Sequence, residues 1–184
     1  LMLAAHYGHE RVVDMLIRHG ADISLQNSFG NTALMLAAGS GHERVVELLL
    51  RHGAEINLQD RNGCTALMCA ASNGHERVVE LLLQRGAEVD KQDRSCLFGF
   101  GGTPALMNAA ANGEDRAVAL LMQLRAEVNL QASDGRTALM TAALEGQERV
   151  VELLLQRGAE RNRQDSDGRT ALPTAANKGQ ETGD

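Results

Sequence analysis

Three histidines, His9, His42 and His75, recur at intervals of 33 residues, and imidazoles repeated in a column could hold a metal ion. Three thiols, Cys64, Cys69 and Cys96, could act as ligands or nucleophiles. Carboxylates recur as well: Glu43, Glu76 and Glu148 each stand before an arginine, Arg44, Arg77 and Arg149. None of these sets has the arrangement its chemistry needs. Neighbouring histidines on packed elements about 10 Å apart are too far apart to share a zinc ion bound at about 2.0–2.1 Å. The odd cysteine count lacks a metal-ligand pattern, and no base is placed beside a thiol to activate it. The acids read as a solvated helix face, without the paired carboxylates in an apolar pocket that general acid–base chemistry requires. The glycines mark turns and do not cluster as a phosphate cradle. No catalytic, cofactor or metal site is expected.

The elements that carry these residues explain their regularity. Gly41-His42-Glu43-Arg44-Val45-Val46-Glu47-Leu48-Leu49-Leu50 returns as Gly74 to Leu83, and again, with Gln147 in place of His, as Gly146 to Leu155. Thr32-Ala33-Leu34-Met35 returns at Thr65, at Thr137 and, with a final Pro173, at Thr170. A fixed period of this size belongs to an array of stacked units, each burying its apolar faces mainly against its neighbours. Between Met68 and Met107 the interval is 39, which places six extra residues between Asp93 and Gly102. The layout is therefore a partial repeat at 1–26, repeats at 27–59, 60–92, 93–131 (with the insert) and 132–164, and a partial repeat at 165–184.

Within a unit, Thr32 caps a short helix running to Gly39, whose Ala37-Ala38 pair implies close backbone approach. Gly41 turns the chain into a second helix, Glu43 to Arg51. Glu43, Glu47 and Arg51 share one face, and the remaining positions are mostly apolar, as a helix with neighbours on both flanks requires. Gly53 is placed for a left-handed cap, and the polar stretch to Gly63 reads as a turn or β-hairpin finger. In the inserted unit Pro104 takes the threonine position, Arg125 the cap glycine and Ala119 the outer-face glutamate.

Composition narrows the partners. The net charge is 18 − 24 = −6 without a long basic run, which argues against nucleic acid and anionic membrane surfaces. No apolar stretch approaches the ~20 residues that span a bilayer, so membrane insertion is not expected. Reduced thiols are the expectation for these cysteines, and they suit an intracellular protein, cytoplasmic or nuclear. Aromatics make up only 2% of the chain, so a base-stacking surface is not expected.

The pattern Asp60, Gly63, Thr65, Ala70-Ala71, Gly74-His75, Val78-Val79, Leu81-Leu82-Leu83, Gly86-Ala87 closely resembles the ankyrin repeat, over essentially the whole chain. The resemblance implies an all-α repeat solenoid of stacked helix-turn-helix units joined by β-hairpin or turn fingers. It departs from the family at one place: Thr-Pro-Leu-His is Thr-Ala-Leu-Met here, which is expected to weaken each helix start while Met packs in its place.

Ankyrin-like proteins meet protein partners through their fingers and the concave first-helix layer. The resemblance thus points to Phe29, Asn31, Arg61, Asn62, Cys64, Thr103, Arg136 and Arg169 on fingers, and to Asn108, Asn112, Thr141 and Glu145 on first helices. Leu36, Cys69, Ser40 and Asn73 are further first-helix positions that differ between copies. Arg136 and Arg169 are expected to bring positive charge toward an acidic patch on a partner. Leu97, Phe98 and Phe100 lie in the insert, where exposed aromatics could anchor a partner or where extra length is simply tolerated. Asn57, Asn129 and Asn162 occupy a loop position that is hydroxylated in some ankyrin proteins. The open first unit, with Leu1, Met2 and Leu3, is expected to fray or to self-associate end to end. The expected function is a protein-binding scaffold; the alternatives are the recruiting arm of a larger enzyme, such as a ubiquitin ligase component or kinase, and a structural spacer.

Overall fold

A computed structural model describes residues 1–92 and 102–171 of the chain. Among the described residues, ten helices follow one another as five pairs. The first helices are α1 (Met2–His6), α3 (Ala33–Gly39), α5 (Ala66–Ser72), α7 (Ala105–Asn112) and α9 (Ala138–Glu145). The second helices are α2 (Glu10–Arg18), α4 (Glu43–Arg51), α6 (Glu76–Gln84), α8 (Asp115–Gln123) and α10 (Glu148–Gln156). Each first helix packs on the next first helix, each second helix on the next second helix, and the two members of a pair on each other. The result is two helical layers built serially, as the period required.

Small side chains make the first layer thin. Ala37, Ala38, Ala70, Ala71, Ala109 and Ala110 are fully buried, and so is Ala142, so the backbones of adjacent helices approach closely. Leu34, Leu67, Leu106 and Leu139 are buried in the same core cluster. From that layer Val45, Val46 and Leu49 point into the core, and Leu48 and Leu50 are half-buried against neighbouring repeats.

The helix starts are held by side chains. The hydroxyl of Thr32 accepts from Met35 N at 3.2 Å, and Thr65 and Thr137 accept from Met68 N and Met140 N at 3.3 Å each. The loss expected where the family has histidine is partly made up: Met35 Sδ accepts the Thr32 N–H at 3.4 Å. The sulfur thus closes a capping box, although as a weak acceptor. Pro104 heads α7 without a side-chain cap.

The fingers are turns, and no strand forms among the described residues. Asn27 Oδ1 accepts from Phe29 N and Asn31 N, and Asp60 Oδ1 from Asn62 N and Cys64 N, each at 2.8–3.0 Å. A backbone bond then joins finger to finger, with Arg61 N donating to Phe29 O at 3.1 Å. Gly30, at φ +85°, makes this possible, because a Cβ there would stand 2.6 Å from Arg61 N. The exception to glycine at positive φ among the described residues is Arg125, at φ 68°, where the sequence replaced the cap glycine.

The candidate functional site: a groove on the first-helix face

A groove of about 390 Å³ runs along the first-helix layer from His6 to Asn108. Its floor is Met35, Leu36, Met68 and Cys69; its rim is Asn31, Ser40, Asn62, Cys64, Ser72, Asn73 and Asn108. Helix periodicity creates it. Met35 and Leu36 are consecutive, so one faces the core while the next is turned toward solvent; Met35 is buried and Leu36 half-buried. The same alternation leaves Cys69 and Asn108 half-buried one repeat apart. The groove therefore unites Asn31, Asn62, Cys64 and Asn108, which the sequence nominated from separate units.

The remaining nominated residues fall in several places. Phe29 is 70% exposed on its finger, and Arg61 and Asn62 are exposed on the next. Asn112 is exposed at the end of α7, and Thr141 and Glu145 are half-buried on α9, farther along the layer. Thr103 is 8% exposed and belongs to the packed start of its unit; it is not an open finger tip. Leu97, Phe98 and Phe100 lie outside the described residues.

The two fingertip arginines are turned inward to acids of their own fingers. Arg136 Nε lies 3.3 Å from Asp134 Oδ2, and Arg169 Nε donates to Asp165 Oδ2 at 3.0 Å while Nη2 engages Asp167. The outward positive charge expected at these positions is thus balanced within each finger. Burial raises the pKa of the Asp165 carboxyl, but the Arg169 and Asp167 backbone N–H groups and the Arg169 guanidinium outweigh it and hold the acid below its usual range.

The residue types that could have done chemistry have structural work. His42 Nε2 lies 2.9 Å from His6 O and His75 Nε2 3.0 Å from Gly39 O, so each imidazole ties a second-helix start to the first helix of the preceding unit. Gln147 Nε2 repeats the bond, to Ala111 O at 3.2 Å. No cluster able to hold a metal occurs among the described residues. Burial, aided by the Asp60 carboxylate, pushes the Cys69 thiol up to about 11, so it stays protonated and unreactive at neutral pH. Asn57 Oδ1 accepts from Glu88 N and Asn129 Oδ1 from Glu160 N, both at 2.9 Å, which makes these loop asparagines clasps between repeats. Asn162 is exposed.

Two further sets of contacts between repeats were not foreseen from sequence. The glutamines Gln26, Gln59, Gln92, Gln131 and Gln164 form a ladder: the Nε2 of each of the first four donates to the backbone carbonyl of the next, at 2.9–3.0 Å. Their recurrence at the repeat interval was the available signal. Arg44, Arg116 and Arg149 on the second helices, and Arg85 at the C-cap of α6, reach back to Glu10, Glu76, Asp115 and Glu47 respectively of the preceding unit. These pairs are exposed, so each contributes little. Ala119 and Leu124 leave the α8 unit without the Glu47–Arg85 type of pair, and Leu124 is 40% exposed there.

No helix among the described residues is long and apolar enough to cross a membrane. A family model described as ankyrin repeats (3 copies) matches residues 1–93 and 106–183. No curated protein matched the chain.

Proposed function

The chain belongs to the ankyrin repeat family, and from that premise we propose that it binds a protein partner across several repeats, through the first-helix face and the fingers. Ankyrin repeats are generally protein–protein interaction modules and typically non-catalytic. The observation that supports this face is the groove itself. Leu36, Cys69 and Asn108 are equivalent positions in three successive repeats, yet one is aliphatic, one a thiol and one an amide. The core positions beside them, Met35, Met68 and Met107, do not vary. Packing thus demands sameness one residue away from where side chains are free to differ. The second-helix face carries Glu–Arg or Asp–Arg pairs that recur from unit to unit, a solvated surface that departs from the pattern at Ala119 and Leu124 of the α8 unit.

The test compares two surface variants for capture of a protein partner. Leu36→Glu combined with Asn108→Arg is expected to abolish capture, whereas Glu80→Lys on the outer face leaves it intact. Capture that survives the first variant and is lost with the second would place the binding surface on the other layer.

A further inference from the structure

The second-helix face breaks its own pattern in one unit. Along the chain the fifth residue of each second helix is Asp14, Glu47, Glu80, Ala119 and Glu152. The C-cap residue five places later is His19, His52, Arg85, Leu124 and Arg157. Every unit but that of α8 therefore sets an acid before a basic or imidazole side chain. In α8 both are lost together, and the replacements are one small and one large apolar group. Leu124 is 40% exposed, and Ala119 and Leu120 are half-buried. Ala119 lies in a depression of about 410 Å³ whose walls include Glu80, Leu120 and Gln123. A hollow and a bump thus stand five residues apart on one solvent-facing element.

The neighbouring units supply charge. Glu152 and the Arg157 guanidinium are exposed, and among the described residues neither side chain has an ion-pair or hydrogen-bond partner. Glu80 Oε1 accepts from the neutral Gln84 Nε2 at 3.2 Å, and no cation pairs with it among the described residues.

We propose that a second copy of this chain covers this patch, about a two-fold axis that lies in the interface and runs along the stack over α8. Such an axis keeps the order of the units and reverses the direction of the helices. The fifth residue of each second helix then faces the C-cap residue of the same unit in the second copy. Leu124 of each copy enters the hollow over Ala119 of the other, a contact made twice, as a self-complementary interface requires. One unit on, Glu152 of each copy faces Arg157 of the other, so charges without partners in the single chain meet at the rim of an apolar centre. On the α6 side Arg85 already holds Glu47 at 3.4 Å, so its approach to Glu80 adds little. The two departures in α8 account for each other. An acid at position 119 and a base at position 124 would both lose water at the centre of the contact. The apolar centre is small, which puts the association at the weak end of the range of interface sizes.

Sedimentation equilibrium of the whole chain, from about 10 μM to about 1 mM, reads the association. A dimer is expected at the upper end of that range. Ala119→Glu returns the acid that other units carry and fills the hollow; it is expected to leave a monomer whose circular dichroism is unchanged. Leu124→Arg, the residue type of Arg85 and Arg157, should do the same from the other side. Arg157→Glu turns two attractions into repulsions and should weaken the dimer about tenfold. Leu124→Glu and Ala119→Arg, each monomeric alone, are expected to dimerise when mixed, because the new acid of one chain meets the new base of the other while one unaltered contact forms. A chain that stays monomeric at about 1 mM overturns the proposal. A dimer that survives Ala119→Glu also overturns it, and loss of that dimer on Val12→Glu would place the contact at the open first unit, where Val12 is 45% exposed. A mixture of Leu124→Glu and Ala119→Arg that stays monomeric overturns the pairing of bump with hollow.

Discussion

Gln92 donates its Nε2 to the carbonyl oxygen of Gln131 at 3.0 Å, although the two are 39 residues apart and the same bond elsewhere in the ladder spans 33. The six extra residues therefore leave the junction between repeats as it is in the other units. Shortening the 93–101 segment by six residues is expected to leave the midpoint of urea unfolding nearly unchanged, since each doubling of loop length costs only about 0.6 kcal/mol. Gln92→Ala, in contrast, frees the Gln131 carbonyl and should cost about 1 kcal/mol. Equilibrium unfolding of the two variants checks both statements.

Arg125 carries a left-handed backbone that the other repeats give to glycine, at φ 68°. Arg125→Gly is expected to stabilise the chain by about 1 kcal/mol, the steric penalty of a side chain in that region. A destabilised variant in thermal unfolding would mean that the arginine side chain makes compensating contacts.

Thr137 caps α9 through its hydroxyl, which accepts from Met140 N at 3.3 Å. Thr137→Ala removes that acceptor from a buried helix start and should cost about 1 kcal/mol. Hydrogen exchange should show the increase in the first turn of α9; unchanged protection there would contradict the capping role.

Cys69 makes stability depend on pH in a defined direction. Burial, with the Asp60 carboxylate added, raises the folded thiol to about 11. A group raised on folding stabilises fully below its unfolded pKa and loses that contribution as pH climbs through the folded value. Stability should therefore fall between roughly pH 9 and 11, and Cys69→Ala should flatten the decline. At pH 8 the folded chain should resist iodoacetamide at Cys69, as peptide mapping would show; ready alkylation would place the thiol in solvent.

Much of the fold was legible because a few residue types recur with fixed duties. Thr32 and Gly53 mark where a helix pair begins and ends, and the bounds of α4, Glu43–Arg51, follow from the turn glycine before it and the cap glycine after it. What stayed hidden were interactions whose partners lie one repeat away. Gln59 reads from sequence as an ordinary polar loop residue, because only the stacked neighbour supplies the carbonyl it bonds. Arg136 read as outward charge, because Asp134 two residues earlier looked equally solvated until the turn folded them together. The groove was half visible: the varying positions Leu36, Cys69 and Asn108 marked the face, but their union into one depression depends on the close approach that the buried alanine pairs allow.

The central claim is that this stack presents its first-helix face to a protein. Hydrogen–deuterium exchange of the chain with and without a bound partner tests it most directly. Added protection should appear on α3, α5 and α7 and on the fingers at Phe29 and Asn62, with α4, α6 and α8 unchanged. Protection confined to α4, α6 and α8 would contradict it.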